Sequence, residues 1–141
     1  MENGLDFPRQ ITIKRENLTF TADPTQDIDT RQRTYRITDG DKYIGTVSIT
    51  YDHSAKRCTI ANITIADRER SKGYGIKIYS AVPFLPGPSG TSILDSGYTF
   101  ESSVGHTIQA ERVWRGLAKR GLASEVGSDA TLSTHHYIYQ L

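Results

Sequence analysis

Apolar residues recur at two different intervals along this chain. Up to about residue 66 they alternate with polar neighbours, as half-buried strands do, and between residues 107 and 120 they return every three or four positions, as one face of a helix does. Ile11, Ile13, Leu18 and Phe20 alternate on both sides of Arg15-Glu16-Asn17, which predicts a strand, or a hairpin turning near Glu16-Asn17. Residues 34–38 predict a strand that runs into Asp39-Gly40, a strong turn dipeptide. Residues 42–51 carry Tyr43, Ile44, Val47, Ile49 and Tyr51, and Asp52-His53-Ser54 turns the chain into residues 57–66. Turns this short make the strands antiparallel neighbours. The last of them alternates imperfectly, Cys58, Ile60 and Asn62 against Thr59, Ala61, Ile63 and Ile65, as a strand covered on both faces would.

The remaining segments predict a shorter list of elements. Residues 1–9 read as a loose leader ending at Pro8, and the polar stretch 21–33, which contains Pro24, allows at most a short helix starting at Thr25 or Asp27. A helix over 76–82 is stopped by Pro83 after about two turns. Residues 84–90 are a Pro- and Gly-rich loop, residues 92–99 read as a strand with Ile93 and Leu94 buried, and 101–106 read as a loop. In 107–120, Ala110, Val113, Trp114, Leu117 and Ala118 share one face, Arg112, Arg115 and Lys119 the other, and Gly121 ends the helix. Residues 122–126 and 135–141 read as closing strands turned by Gly127-Ser128-Asp129. The sum is an α+β layer with helices on a mixed sheet.

One stretch carries candidate chemistry. Ile63 and Ile65 end a strand, a charged turn follows, and Gly73 and Gly75 open onto a helix. Glycines let the backbone approach closely, and the first helical N–H groups have no partner of their own, so such a turn can hold phosphate. Arg70 and Lys72 add charge there. Across residues 56–77, Lys56, Arg57, Arg68, Arg70, Lys72 and Lys77 outnumber Asp67 and Glu69, which suits a polyanionic cofactor.

The pattern Arg70-x-x-Gly73-x-Gly75 behind Ile63 and Ile65 resembles the acyl-CoA signature of the GNAT acyltransferases (Gcn5-related N-acetyltransferases). That family's pattern is Gln/Arg-x-x-Gly-x-Gly/Ala after its fourth strand. The resemblance covers residues 34–140, with the signature region at about 57–82 of a single domain spanning 1–141. It implies a short, divergent member with a mixed, mostly antiparallel central sheet and helices packed on its faces. The first helical region is reduced, because 21–33 is too short for the two helices the family usually has there. It also implies acetyl-CoA or another acyl-CoA as cosubstrate, with Ile63, Ile65, Arg70, Ser71, Lys72, Gly73, Tyr74 and Gly75 as its binding residues. The strand end would pair with the pantetheine arm, the turn amides would hold the pyrophosphate, and a backbone N–H near Ile65 could stabilise the thioester oxygen.

The family's usual tyrosine acid does not carry over. Ala110-Glu111-Arg112-Val113-Trp114 resembles the stretch that holds it, and Trp114 stands in its place. An indole N–H is no acid, so Trp114 reads as core. The general acid and base therefore stay unassigned. His106 and Glu101 are weak candidates, and Tyr79, Tyr98 and Asp67 read as core, rim and turn residues. His135 and His136 are neighbours in a strand, face opposite sides and cannot share a metal.

Composition narrows the partners. The 141 residues carry 17 basic and 16 acidic side chains, a net charge of +1, which offers nothing for nucleic acid or an anionic membrane. Cys58 is the one cysteine, so no internal disulfide or cysteine-based metal site can form. No run approaches the roughly 18–20 apolar residues of a membrane span, and no apolar signal region leads the chain, so a cytoplasmic protein is expected. The first function expected is N-acylation of an amine on a small molecule or protein. The alternative is a non-catalytic GNAT-like binding module, such as a phage or mobile-element protein, that contacts a protein partner. A toxin acting on aminoacyl-tRNA comes third and gains little from the +1 charge. The last strand, with His135 and His136, could pair across a homodimer or simply close the sheet.

Overall fold

The alternating N-terminal half forms five consecutive strands. β1 (Ile11–Arg15) and β2 (Leu18–Ala22) make the expected hairpin, and Glu16 and Asn17 at its tip take positive φ, 54° and 62°. β3 (Gln32–Asp39), β4 (Lys42–Asp52) and β5 (Arg57–Ile65) follow, each antiparallel to the one before. β6 (Thr99–Phe100) pairs in parallel with β5 and completes a sheet of order β1-β2-β3-β4-β5-β6. β7 (Ala123–Asp129) and β8 (Thr134–Tyr139) form a second antiparallel pair, tied to the first sheet by a bridge between Glu101 and Ile138. Helix α1 (Tyr74–Ala81) lies between β5 and β6, and α2 (Ile108–Lys119) between β6 and β7. This is the mixed, mostly antiparallel α+β architecture expected of the sequence. The computed structural model describes residues 11–22, 31–70, 72–87, 91–103, 107–129 and 134–140, and among these no helix is long and apolar enough to cross a membrane. The leader at 1–9 and the short helix considered near Thr25 or Asp27 lie outside the described residues.

Strand register sorts the side chains into two faces. Leu18, Phe20, Ala22, Tyr35, Ile37, Val47, Ile49, Tyr51 and Cys58 share the buried face, while Thr19, Thr21, Thr34, Thr46, Ser48, Thr50 and Thr59 line the other, half exposed. Both helices pack on the buried face. Trp114 of α2 meets Phe100 of β6 at 4.9 Å, Tyr79 of α1 at 5.6 Å and Tyr137 of β8 at 6.0 Å between ring centroids. Trp114 therefore stands in the core, as its place in the helical stripe predicts.

α2 has a signal at each end. Thr107 accepts the Ala110 N–H at 3.1 Å as N-cap. At the other end Gly121, at φ 76°, donates to Ala118 O and Leu122 donates to Leu117 O, a Schellman arrangement.

Several expectations are corrected. Of residues 92–99 only Thr99 lies in a named strand: Ser92 Oγ accepts the Asp95 N–H, Ser96 N–H donates to Ser92 O, and Gly97 takes φ 87°, so the rest is a chain of turns before the two-residue β6. Ile93 is buried even so, because the turn folds it back under Leu85 through the Ile93 N–H to Leu85 O bond. The helix begins at Tyr74 rather than 76, which puts Gly75 inside it, and Pro83 lies in a 3-10 turn, Val82–Phe84, that prolongs it. Finally, β7 continues through Gly127-Ser128-Asp129, so these residues pair rather than turn.

β5 is also not covered on both faces. Its pairing with β4 jumps from Ile49↔Ile60 to Ser48↔Asn62, which leaves Ala61 as an extra residue. A bulge of one residue shifts the alternation by one. Cys58 and Ile60 before it, and Ile63 and Ile65 after it, consequently fall on the same face. This accounts for the imperfect period in the sequence. Beyond the bulge the strand opens to solvent, with Ala61, Asn62 and Thr64 exposed.

Candidate functional site

The bulge also decides which backbone groups of β5 are left over. β6 and the chain after it take the carbonyls on the open side of the first half: Glu101 N–H bonds to Cys58 O at 3.0 Å, and Ser103 Oγ donates to Ile60 O at 2.9 Å. Successive amides along a strand point to opposite edges. Ala66 N–H points to β4, where it bonds to Ile44 O at 2.8 Å. The N–H and C=O of Ile65, and of Ile63 two residues earlier, therefore point the other way, into a gap that no strand fills among the described residues. Ile63 and Ile65, singled out from the sequence, stand at this unpaired edge.

The turn follows at once. Asp67–Glu69 form one 3-10 turn, and Asp67 acts in it as a turn residue through the Arg70 N–H bond to its carbonyl at 3.3 Å. Gly73 takes φ 83°, in the left-handed region where a side chain is strained, and precedes α1 as its N-cap. Gly73 has no side chain to cap α1, and among the described residues none caps its start, which leaves the first helical N–H groups open to a ligand. Ser71 lies outside the described residues.

Arg70 and Lys72 already have partners. Arg70 lies 3.3 Å from Asp67 and makes a long 3.5 Å contact with Ile65 O. Lys72 lies 3.2 Å from Glu69, and so does Lys42, which comes from the start of β4. Glu69 itself is 2% exposed. Burial works to raise its pKa, but hydrogen bonds from Lys72 and Lys42 outweigh that and hold it below the usual carboxylate value. Lys42 is pushed up by the same bond and by Tyr74. Tyr74 donates to Asp39 Oδ2 at 3.0 Å, and Lys42 and Lys77 lie 5.9 Å and 5.7 Å from its ring centre. The β3–β4 turn and the Gly73 turn are thus fastened together around one buried carboxylate.

Sequence reasoning missed three of these residues. Glu69 was counted only as a subtraction from local charge, and Lys42 is 27 positions away. Gly45 pairs with Ile65, and a Cβ there would fall 1.9 Å from Thr64 O, so only glycine lets β4 lie this close to the strand end. Gly75 has a different role from the one expected of a turn glycine: a Cβ on it would lie 3.2 Å from Val113 Cγ2, so its absence lets α1 approach α2. The free edge and the helix start beyond it fit an extended arm that leads into phosphates, as the arm of acyl-CoA does.

The other candidates are spread out. Tyr79 is in the core, and burial pushes its hydroxyl up to about 12. Tyr98 bonds to His53 Nδ1 beside Tyr51, at the end of β5 remote from the Gly73 turn. Glu101 is buried where β6 leaves β5 and pairs with His136. His135 falls opposite Ser128 in the β7–β8 register, and His106 lies outside the described residues.

No family model matches the sequence, and no curated protein matches it either. The fold, by contrast, has solved counterparts. An acetyltransferase from Thermus thermophilus superimposes with a TM-score of 0.52 at 16% identity, over 84% of this chain and 70% of that one. A Bacillus subtilis acetyltransferase in complex with CoA gives 0.52 at 17% identity, over 85% and 86%. A chimeric spermidine N-acetyltransferase from Vibrio cholerae gives 0.53 at 17% identity, over 81% and 70%. At these identities the likeness is one of fold, and it is the GNAT-type acetyltransferase fold that the signature implied.

Proposed function

We propose that this chain is an acyl-CoA-dependent N-acyltransferase, with acetyl-CoA as the expected donor and an amine of a small molecule or protein as acceptor. One observation carries the reading: the open edge at Ile63 and Ile65 leads into a left-handed glycine and a helix start that no side chain caps among the described residues. Bound acyl-CoA would supply a thioester carbonyl activated toward attack by an amine. Ile63 and Ile65 offer a donor and an acceptor each to an extended amide-bearing arm. The amides from Lys72 to Gly75 offer donors to phosphate, and Ser71 belongs to the same proposed set. Arg70, Lys72 and Lys42 add charge around them. The Ile65 N–H also suits an oxygen that gains charge during transfer. The CoA held by the Bacillus subtilis structure supports the donor, and the spermidine in the name of the Vibrio cholerae protein supports an amine acceptor.

Calorimetry with acetyl-CoA tests the reading, with ATP as control. Micromolar binding of acetyl-CoA and none of ATP is expected. Absence of acetyl-CoA binding overturns the reading. A second reading, a non-catalytic module of the same fold, is favoured by Trp114, whose buried indole offers no acid where the family carries a tyrosine. Release of free thiol from acetyl-CoA with any amine removes that alternative.

A further inference from the structure

The face of β6 turned away from the helices holds a small polar array. Phe100 points into the aromatic core, so alternation turns Thr99 and Glu101 to the other side. Tyr137 and Tyr139 point into the core from β8, which turns His136 the same way. There Thr99 Oγ1 donates to Glu101 Oε2 at 2.6 Å, and His136 Nε2 lies 2.8 Å from Glu101 Oε1. Glu101 is buried, whereas the His136 side chain is 44% exposed. The Glu101 N–H makes one of the last bonds to β5, at Cys58 O, before the two segments part. The array thus stands beside the closed end of the gap, where the two segments begin to part, on the side opposite α1 and α2.

The chemistry of the pair is asymmetric. A carboxylate only accepts, so Nε2 carries a proton toward Glu101, and in the neutral imidazole Nδ1 then holds the lone pair. Among the described residues no group bonds to Nδ1. We propose that His136 is the proton acceptor for the incoming amine and that Glu101 is its positioning residue. The ammonium form of the acceptor gives one proton to Nδ1 and keeps the electron pair of the broken N–H bond, which makes it a nucleophile. The imidazolium so formed lies against the Glu101 carboxylate, which stabilises it, and returns the proton to water later. Thr99 donates to the second carboxylate oxygen, which favours the orientation of Glu101 toward the ring. The inference rests on the acyltransferase reading above.

Three measurements test it together. Calorimetry with acetyl-CoA should give the same affinity, within about twofold, for the wild type, H136Q and E101Q. Thiol release with the best acceptor of an amine panel, spermidine included, should fall by about a hundredfold or more in H136Q. Free imidazole should restore part of the rate lost in H136A. Without any acyl-CoA, a proton–nitrogen correlation spectrum of the wild type should show His136 as the Nε2–H tautomer, and E101Q should show a mixture. Wild-type turnover in H136Q, acylation of no amine by a protein that binds acetyl-CoA, or an Nδ1–H tautomer in the resting wild type overturns the proposal. Failure of the wild type to bind acetyl-CoA overturns the acyltransferase reading, and the proposal falls with it.

Discussion

Gly45 of β4 lies opposite Ile65 of β5 so closely that a Cβ on Gly45 would fall 1.9 Å from the Thr64 carbonyl oxygen. The obstacle is backbone, not a side chain that could rotate away. The contact also sits where β5 leaves its last pairing and where Ala66 N–H bonds to Ile44 O. Gly45→Ala must push the end of β5 away from β4, and that end carries Ile65. The expected loss of stability is at least the ~1–3 kcal/mol typical of overpacking. Thermal unfolding reads the loss, and acetyl-CoA affinity should fall along with it. An alanine variant as stable as the wild type would mean that the strand end is not held by this approach.

Gly73 makes a different demand, on conformation rather than space. Nothing lies within 4 Å of a Cβ built on it, but its φ of 83° is strained for any residue with a side chain. Gly73→Val should move the turn out of the left-handed region and turn the first α1 amides away from the gap. We expect a stability loss of roughly 1–2 kcal/mol and loss of acetyl-CoA binding. Gly73→Asn, which tolerates the region better, should keep more of both. Equal affinity in the wild type and the valine variant would show that the turn holds no phosphate.

What the sequence revealed was local. Gly73, the strand ending in Ile65, the helical stripe over 107–120 and the stop at Gly121 all depend on residues a few positions apart, and each stands in the pattern. Even the bulge at Ala61 was visible as a broken alternation, though it was misread as burial on two faces. The error at 92–99 has a similar origin: Ile93 and Leu94 are apolar, but turns bury them, and an apolar pair alone does not distinguish a turn from a strand. What could not be read depends on distant neighbours. Lys42 reaches Glu69, Gly45 meets Ile65, and Glu101 meets His136 only once the sheet has formed. Gly75 was found for the wrong reason, since its neighbour Val113 lies on the second helix.

Glu69 makes a prediction about acid. Its pKa in the folded protein lies below the ordinary glutamate value of 4.5, because bonds from Lys72 and Lys42 overcome the effect of burial. A depressed carboxylate contributes stability that is fully present above its unfolded pKa and is lost as pH falls through the folded value. The wild type should therefore exceed E69Q by a constant margin above roughly pH 5.5, and the margin should shrink steadily in stronger acid. Urea midpoints of the two proteins across that range give the margin directly. A margin that does not change with pH would show that the shared carboxylate is not what ties the two turns together.

Trp114 separates core packing from catalysis. The indole touches Phe100, Tyr79 and Tyr137, with centroids 4.9, 5.6 and 6.0 Å away, and it is 2% exposed. Trp114→Phe keeps an aromatic ring there but leaves a void where the second ring stood. The loss of stability should be clear yet smaller than the ~3–5 kcal/mol of a truncation to alanine. Thiol release by the folded variant should change little, because the indole N–H is no acid and the ring is packed among Phe100, Tyr79 and Tyr137. Tyr137 links this core to Glu111, donating to its Oε2 at 2.7 Å, and burial and that carboxylate push the tyrosine up to about 12. Disturbing the stacked ring should therefore loosen Tyr137 before it affects the gap. A variant that folds as tightly as the wild type but turns over at a small fraction of its rate would place Trp114 against the acyl arm instead.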